Sequence, residues 1–487
     1  MLRYIIAFCL VWIATGTSLA QNEDDALRYS FLEPIGNARF TGMAGSMGAL
    51  GGDFSASSWN PASTGIYRRN ELGLTFGISG TNTDATYEDR TVSTSDFQFH
   101  IPQLGLMGSY ETSNPEWTHV NFGVGYNKLA NFNQEFVVNG EAVNTSLLDV
   151  FLNQANGVPF DELNNAFPFG AGLAWNTFLL DTASSATPDQ FISAYPGGPL
   201  TQRMQVSTSG HMGETVLTIG ANRMDKLYLG ATLGFPVVRY NREIVYTEDE
   251  ITESNDLANW RYQDDLISTG NGINIKLGVI YRATKWLRIG GAYHSPTSLS
   301  FSEVWDTEIS SSFQNGDAFE SFAQGGFDYN LRTPGRYIAS AGFVLGKNGL
   351  INADYEYIDY SNAKLKPSNL IPDSYDFALE NETIASLYRG THNVRIGGEA
   401  RIRRVLRLRG GFAYQQHPYA NGGSVNAVNV ITYSGGIGLR FSNIFIETAY
   451  QLRQSDSDFY MYDPNFVDVA RLNRSRGEFM LSVGLRY

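Results

Sequence analysis

Cysteine is almost missing from this chain: among 487 residues there is one, Cys9. It lies in the opening stretch MLRYIIAFCLVWIATGTSLAQ, where Arg3, an apolar run and the small residues around Ala20 have the pattern of a secretory signal peptide spanning residues 1–20. The mature chain, from Gln21, then has no cysteine, which excludes disulfides and cysteine-ligated metals. Cys9 sits inside the apolar run rather than beside the cleavage site, so no lipid anchor is expected. Long hydrophobic runs are missing too: after the signal nothing approaches the ~18 apolar residues of a membrane helix. Charge is sparse at 17% and acidic in balance, with a formal net charge of −14, which disfavours nucleic acid as a partner. The histidines at 100, 119, 211, 294, 392 and 417 show no metal-ligand spacing. His294 and Ser295 are adjacent on a strand and point to opposite faces, so they cannot act as base and nucleophile. With no phosphate-binding loop either, the expectation is a protein that is not an enzyme and uses no cofactor and no metal.

What the chain does have is aromatic residues (13%), glycine (50 residues) and alternation. The last nine residues, FMLSVGLRY, place Phe479, Leu481, Val483, Leu485 and Tyr487 at every second position. Fourteen segments share this period, at 71–81, 97–110, 118–130, 202–222, 226–246, 268–282, 286–305, 328–346, 349–361, 390–402, 404–416, 430–441, 443–455 and 475–487. Short turns such as NRMDK, GKNG and FSNI alternate with long polar connections such as TNTDATYEDRTVSTS and TEDEITESNDLANW. That parity predicts an all-β fold, a fourteen-stranded antiparallel transmembrane β-barrel in a bacterial outer membrane with its short turns in the periplasm. The final segment then closes the barrel. A soluble sheet ending this way would leave an apolar row unpaired.

Residues 21–68 do not alternate. GNARFTGMAGSMGALGGDFSASSWNPASTGIY is rich in Gly, Ala and Ser and too short for its own core, so it must fold against something larger. The barrel lumen is the available partner, which predicts a hatch over 21–68 and a barrel over 69–487. The long connection 131–200 carries NTSLLDVFLNQAN, helical in spacing behind Asn144 and Thr145 as caps, and the apolar stretch PFGAGLAWNTFLL. Such apolar surface marks either a binding site or a large loop packed on itself.

This segment ahead of fourteen strands, with a helical loop after the third, resembles the FadL-type long-chain fatty acid transporters, which include TodX-like importers of aromatic hydrocarbons. The resemblance places Asn60, Pro61 and Ala62 in the family's Asn-Pro-Ala hatch motif, and GGAYHSPTS (290–298) is similar to a recurrent strand of the family. It implies passive transport of hydrophobic small molecules, with outer-membrane lipid and lipopolysaccharide around a monomer. Haem uptake, with His417 or His211 as ligand, and a role as an assembly partner in protein secretion or surface attachment are the alternatives. The resemblance also implies a kinked strand that opens a gap sideways into the membrane, and Pro102 is the candidate kink, since proline breaks strand pairing. Pro236 reads rather as a bulge.

Alternation assigns faces. Val394, Ile396, Ile402, Leu406, Leu408 and Phe412 should face lipid, which sends Arg395, Glu399, Arg401, Arg407 and Arg409 inward. Lys276, Arg332 and Arg336 should point inward as well, with Asn352, Asp354, Glu356 and Glu447 to balance them. Either these charges form a ladder that stabilises the wall, or Arg395, Arg401, Arg407 and Arg409 bind the head group of an acidic hydrophobic ligand, for which guanidinium geometry suits.

Overall fold

The computed structural model describes residues 23–487 apart from 185, 196, 251–255, 369–374, 404 and 421–428; the signal segment with Cys9, together with Gln21 and Asn22, lies outside the described residues. Eighteen strand segments form one sheet, and because four staves are broken in two they make fourteen staves. In chain order these are β1 (Glu71–Tyr87), β2 (Arg90–Glu111), β3 (Trp117–Asn131 and Gln134–Val143), β4 (Leu200–Arg223), β5 (Leu227–Glu250), β6 (Leu257–Arg282) and β7 (Leu287–His294 and Ser298–Phe313). They continue as β8 (Ala318–Arg332 and Arg336–Leu345), β9 (Gly349–Asp359 and Lys364–Pro367), β10 (Gly390–Arg401), β11 (Leu406–Gln415), β12 (Val430–Arg440), β13 (Ile444–Phe459) and β14 (Ala470–Arg486). Every neighbouring pair is antiparallel, and β14 pairs with β1 from Arg486 opposite Glu71 up to Arg471 opposite Thr86. Tyr487 and Asn70 then exchange both backbone hydrogen bonds, at 3.1 and 3.2 Å. The alternating carboxy-terminal run is therefore the stave that closes the barrel and leaves no edge.

Six tight turns fall on one side, as the spacing requires. On the other side the structure departs from the expected long loops. TNTDATYEDRTVSTS is nearly all strand, since β1 runs to Tyr87, β2 starts at Arg90 and only Glu88 and Asp89 turn the chain. Glu88 takes the left-handed conformation, φ 49°, that such a two-residue turn needs. The third stave likewise continues to Val143, so the large loop is 144–199 rather than 131–200. A membrane stave needs ~9–11 residues, whereas β4 and β5 have 24 each. Much of the sheet thus stands above the membrane, where polar outward residues keep the alternation invisible to an apolar-only reading.

The lipid belt shows as exposed apolar residues: Leu72 and Ile78 on β1, Ile273, Ile275, Leu277 and Val279 on β6, and Val394 and Ile396 on β10. Arg332 is a correction. The β8 ladder breaks at Thr333–Gly335, and the break turns Arg332 outward while Arg336 stays buried.

The large loop folds inward over the mouth opposite the six tight turns. Helix Leu147–Ala155 buries Leu147, Leu148, Phe151 and Ala155 against inward faces of β3 to β7, among them Phe136, Met204, Tyr246 and Trp260. Its N-cap is Ser146 rather than Asn144 or Thr145, with a complete capping box to Asp149. Glu248 pins this start: the Ser146 hydroxyl, the Leu147 amide and the Trp260 indole donate to it at 2.6, 2.9 and 2.8 Å.

Candidate functional site

Inside the barrel lie residues 23–68, built as short pieces whose starts follow from side-chain caps. Asn37 caps helix Ala38–Thr41, Asp53 caps Phe54–Ser57, and Asn60 caps the 3-10 turn Pro61–Ile66, in which proline occupies the first turn because it has no amide to satisfy. No piece is long enough to stand alone; each leans on the wall. The Ala38 amide donates to Ser482 Oγ at 2.7 Å, the Met47 amide to Asp354 Oδ2 at 2.9 Å, and the Tyr29 hydroxyl to Ser268 Oγ at 3.0 Å. On the opposite side Asn121 Nδ2 donates to Thr64 O at 2.7 Å.

The Asn60, Pro61, Ala62 motif sits against β5, β6 and β7. Asn60 Oδ1 accepts from the Ala62 amide at 3.1 Å, while Nδ2 donates to Gly48 O at 2.6 Å and to Val279 O of β6 at 3.3 Å. One side chain thereby caps its own turn, ties it to the preceding loop and fastens both to the wall. The wall answers with glycine: a methyl on Gly278 would overlap Asn60 Oδ1, one on Gly230 would overlap Pro61 O, and one on Gly290 would come within 2.6 Å of Gly48 O. These glycines were missed in the sequence because nothing local distinguishes a strand glycine that meets a backbone from one that does not.

The predicted arginines divide into two groups. Arg395 is buried, pairs with Glu356 and lies 4.1 Å over the Trp59 ring. Arg409 reaches Glu399 and Glu447, each at 3.0 Å. Arg401 and Arg407 are 3.7 and 3.6 Å from Glu399, which the hatch residue Arg39 also meets at 3.2 Å. Arg401 lines a cavity of about 350 Å³ at the tight-turn mouth in which seven arginines face one glutamate, Glu71. A second network joins hatch to wall higher up, where Glu33 meets Arg453 at 2.7 Å and Arg476 at 3.1 Å. His294 is taken up by structure, with Nε2 2.9 Å from Trp59 O. His417 Nε2 accepts from Arg389, and burial followed by the Arg389 charge holds its pKa below the ordinary value.

Pro102 sits where the wall ladder changes. The β2–β3 ladder runs from Glu111 opposite His119 to Gln103 opposite Asn127 and stops there, one residue short of Pro102. On its other edge β2 bulges against β1 at the same place, with Pro102 and Gln103 both turned inward. Beyond this point β2 keeps its pairing with β1, and β3, after its break at Phe132 and Asn133, pairs with β4. The seam between them is bridged by side chains: Thr94 Oγ1 donates to Glu135 O at 2.7 Å, and Asn133 donates to Gln98. Phe97 and Phe99, 75% and 63% exposed, flank it on the lipid side.

From this seam an aromatic ladder climbs through the interior, and no sequence reading found it. Phe132, at the β3 break, meets Tyr29 of the hatch at 6.0 Å between ring centroids. Tyr29 stacks on Phe301 of β7 at 4.4 Å, Phe301 on Tyr329 of β8 at 5.1 Å, and Tyr329 meets Phe377 at 6.2 Å. Phe377 then meets Tyr375 at 5.2 Å, next to the helix Ala378–Leu387 of the loop between β9 and β10. Beside the ladder a cavity of about 30 Å³ is lined by Leu129, Met212 and the Lys276–Glu214 pair. That volume admits water but not a ligand, for which ~300 Å³ is a minimum.

No family model and no curated protein sequence matches the chain. Solved structures do match. A FadL homologue from Pseudomonas aeruginosa superposes with a TM-score of 0.56 at 13% identity, covering 94% of this chain and 99% of its own. The toluene transporter TodX of P. putida gives 0.53 at 13% identity over 93% and 99%. The monoaromatic hydrocarbon channel CymD gives 0.50 at 13% identity over 93% and 97%. The chain therefore has the FadL/TodX-type fold, a closed fourteen-stave barrel of the bacterial outer membrane.

Proposed function

We propose that this barrel is a passive outer-membrane channel, not an enzyme, that takes up hydrophobic small molecules of aromatic or long-chain character. The observation that carries the reading is the continuous aromatic ladder from Tyr375 to Phe132, which joins the extracellular loops to the Pro102 seam. An apolar cargo displaces ring from ring along such a path without crossing water. It leaves through the seam, where β2 and β3 share side-chain bridges instead of a ladder and separate at lower cost. The hatch closes the direct route below, held by Asn60 and the wall glycines. The similarity to a FadL homologue and to hydrocarbon channels supports a cargo of this class.

On this route Arg395, Arg401, Arg407 and Arg409 serve the wall rather than a head group: all four pair with Glu356, Glu399 or Glu447, and Arg401 lines a cavity on the far side of the hatch from the seam. The test is fluorescence displacement on purified, heat-modifiable barrel, with mass spectrometry of hydrophobic molecules that copurify. Phe301→Ala removes a ring that an aromatic cargo would stack on, a contact worth ~0.5–1.5 kcal/mol, so affinity should fall roughly twofold to tenfold. Arg401→Ala with Arg407→Ala should leave the binding of a long-chain acid and of its methyl ester equally unchanged; a loss for the acid alone would put a head group at these arginines and refute the seam route. If the unmutated protein neither binds nor retains any hydrophobic molecule, the transport reading fails.

A further inference from the structure

The floor of the hatch and the tight-turn ends of the staves enclose the cavity of about 350 Å³ that Arg401 lines. Its arginines come from two bodies. Arg39 stands on the hatch helix Ala38–Thr41, and Arg68 and Arg69 lead out of the hatch into β1. Arg288 is the second residue of β7, and Arg401, Arg440 and Arg486 are the last residues of β10, β12 and β14. Seven guanidiniums thus gather at one level, along the line where hatch and wall part.

The carboxylates at hand are already shared. Glu399 serves Arg39 and Arg401 besides Arg407 and Arg409, and Glu447 serves Arg440 besides Arg409. Glu71 pairs with Arg486 at 2.6 Å, and Arg68 turns to Asp225, which does not line the cavity. Among the described residues neither Arg69 nor Arg288 has a carboxylate within ion-pair distance. Arg288 donates one bond to Leu50 O at 2.8 Å and keeps a buried Nε with no hydrogen-bond partner; Arg407, beside Glu399, has Nε and Nη1 buried in the same way. A guanidinium cannot shed its proton to relieve such crowding. In a chain of net charge −14 this mouth reverses the overall balance.

We propose that the cavity binds a compact anion carrying two or more linked phosphate groups, taken from the compartment on the tight-turn side, and that the bound anion latches the hatch to the wall. The donors set the class. The polar side chains lining the cavity are guanidiniums, apart from Glu71 and the Tyr67 hydroxyl, which donates to Glu71 at 3.2 Å. Guanidiniums only donate, and their forks match phosphate oxygens, so the fitting ligand is all acceptor and more than singly charged. It must also offer oxygens in several directions, because the arginines without carboxylates stand on different bodies. A single carboxylate satisfies one fork and leaves the rest. A short chain of phosphates reaches Arg69 on the hatch side and Arg288 and Arg401 on the wall, and the volume exceeds the ~300 Å³ of a small-molecule pocket. Leu50, Gly51, Gly52 and Ile66 of the hatch line the same space, so an occupant there ties hatch to wall and opposes opening. The latch does not depend on what the channel carries.

The experiment titrates the detergent-extracted full chain with inorganic triphosphate by calorimetry, with sodium chloride holding ionic strength constant. Wild type should bind at least about tenfold more tightly than Arg69→Gln combined with Arg288→Gln, as the loss of two charge-assisted contacts requires. Triphosphate should also slow hydrogen exchange over residues 48–66 and raise the urea midpoint of wild type, and do neither in the variant. A merely structural role for these arginines would shift the midpoint without any dependence on triphosphate. Arg69→Gln alone removes no hydrogen bond or ion pair that the structure shows, and should still weaken binding about threefold or more. Arg203→Gln with Arg471→Gln, exposed arginines at the opposite mouth, should match wild type. Heat-modifiable mobility confirms that each variant is folded. Affinity for triphosphate should be the same in nanodiscs of phosphatidylglycerol and of phosphatidylcholine; a large loss in the first would assign the site to a lipid phosphate and overturn the free-anion reading. Equal affinity of wild type and the double variant overturns the proposal, as does an equal loss in the control. Tighter binding of a hexaglutamate peptide than of triphosphate overturns it too, in favour of an acidic protein segment.

Discussion

Replacing Asn60 by alanine tests how the interior segment is held. The side chain makes three hydrogen bonds, at 3.1 Å from the Ala62 amide and at 2.6 and 3.3 Å to Gly48 O and Val279 O, in a place fully buried from solvent. Loss of the cap costs about 1 kcal/mol. Leaving the buried Gly48 carbonyl without its donor adds ~1–3 kcal/mol. The total of roughly 2–4 kcal/mol is charged to the closed hatch, because the barrel ladder does not depend on Asn60. Local opening should therefore rise roughly 30- to 700-fold at 1.4 kcal/mol per decade. Hydrogen exchange of peptides covering residues 48–66 reads this directly, and planar bilayers should show open events in Asn60→Ala that are rare in wild type. Asn60→Asp keeps the cap acceptor and loses both Nδ2 donors, so it separates capping from fastening. If Asn60→Ala exchanges and conducts like wild type, the amide is not what fastens the hatch.

Gly278→Ala should loosen the same turn while the barrel still assembles, since the added methyl overlaps Asn60 Oδ1; combined with Asn60→Ala its effect on exchange should be less than additive. Glu399→Gln removes the carboxylate shared by Arg39, Arg401, Arg407 and Arg409, and breaking such a buried network should lower unfolding stability by ~3–5 kcal/mol, read as a lower urea midpoint. An unchanged midpoint would mean that the arginines find other partners. A cysteine at Asn315, in the turn between β7 and β8, should react with an impermeant reagent on intact cells, and one at Asn348 should not; the reverse pattern would invert the topology.

The lipid-facing half of the fold was legible because lipid demands one thing of every second residue. Leu72, Ile78, Val394 and Ile396 answer to hydrocarbon whatever their neighbours, so period 2 betrays them in the bare sequence. Inward positions answer to partners hundreds of residues away. Gly278 is glycine on account of Asn60, and Asp354 is acidic on account of the Met47 amide. The aromatic ladder draws residues 29, 132, 301, 329, 375 and 377 from five separate parts of the chain, each of which reads alone as an ordinary core ring.

Proline is the intermediate case, because it carries a local message that only register completes. Pro102, Pro236, Pro296 and Pro334 each announce a missing ladder bond. What the sequence does not show is that the last three fall together: the β5–β6 pairing skips Phe235 and Pro236, β7 breaks at Ser295–Thr297 opposite Asn274 and Ile275, and β8 breaks at Thr333–Gly335 beside it. All three lie where the apolar belt ends. A membrane stave is tilted and its twist is set by closure, whereas the sheet above must bend inward for the large loop to cap it. Breaking the ladder at one level lets the upper sheet take its own direction, and the same breaks shift the face on which the next residue points. Arg332 was misread for that reason: alternation was counted through Pro334 as if the strand were continuous, and one break inverts every assignment beyond it.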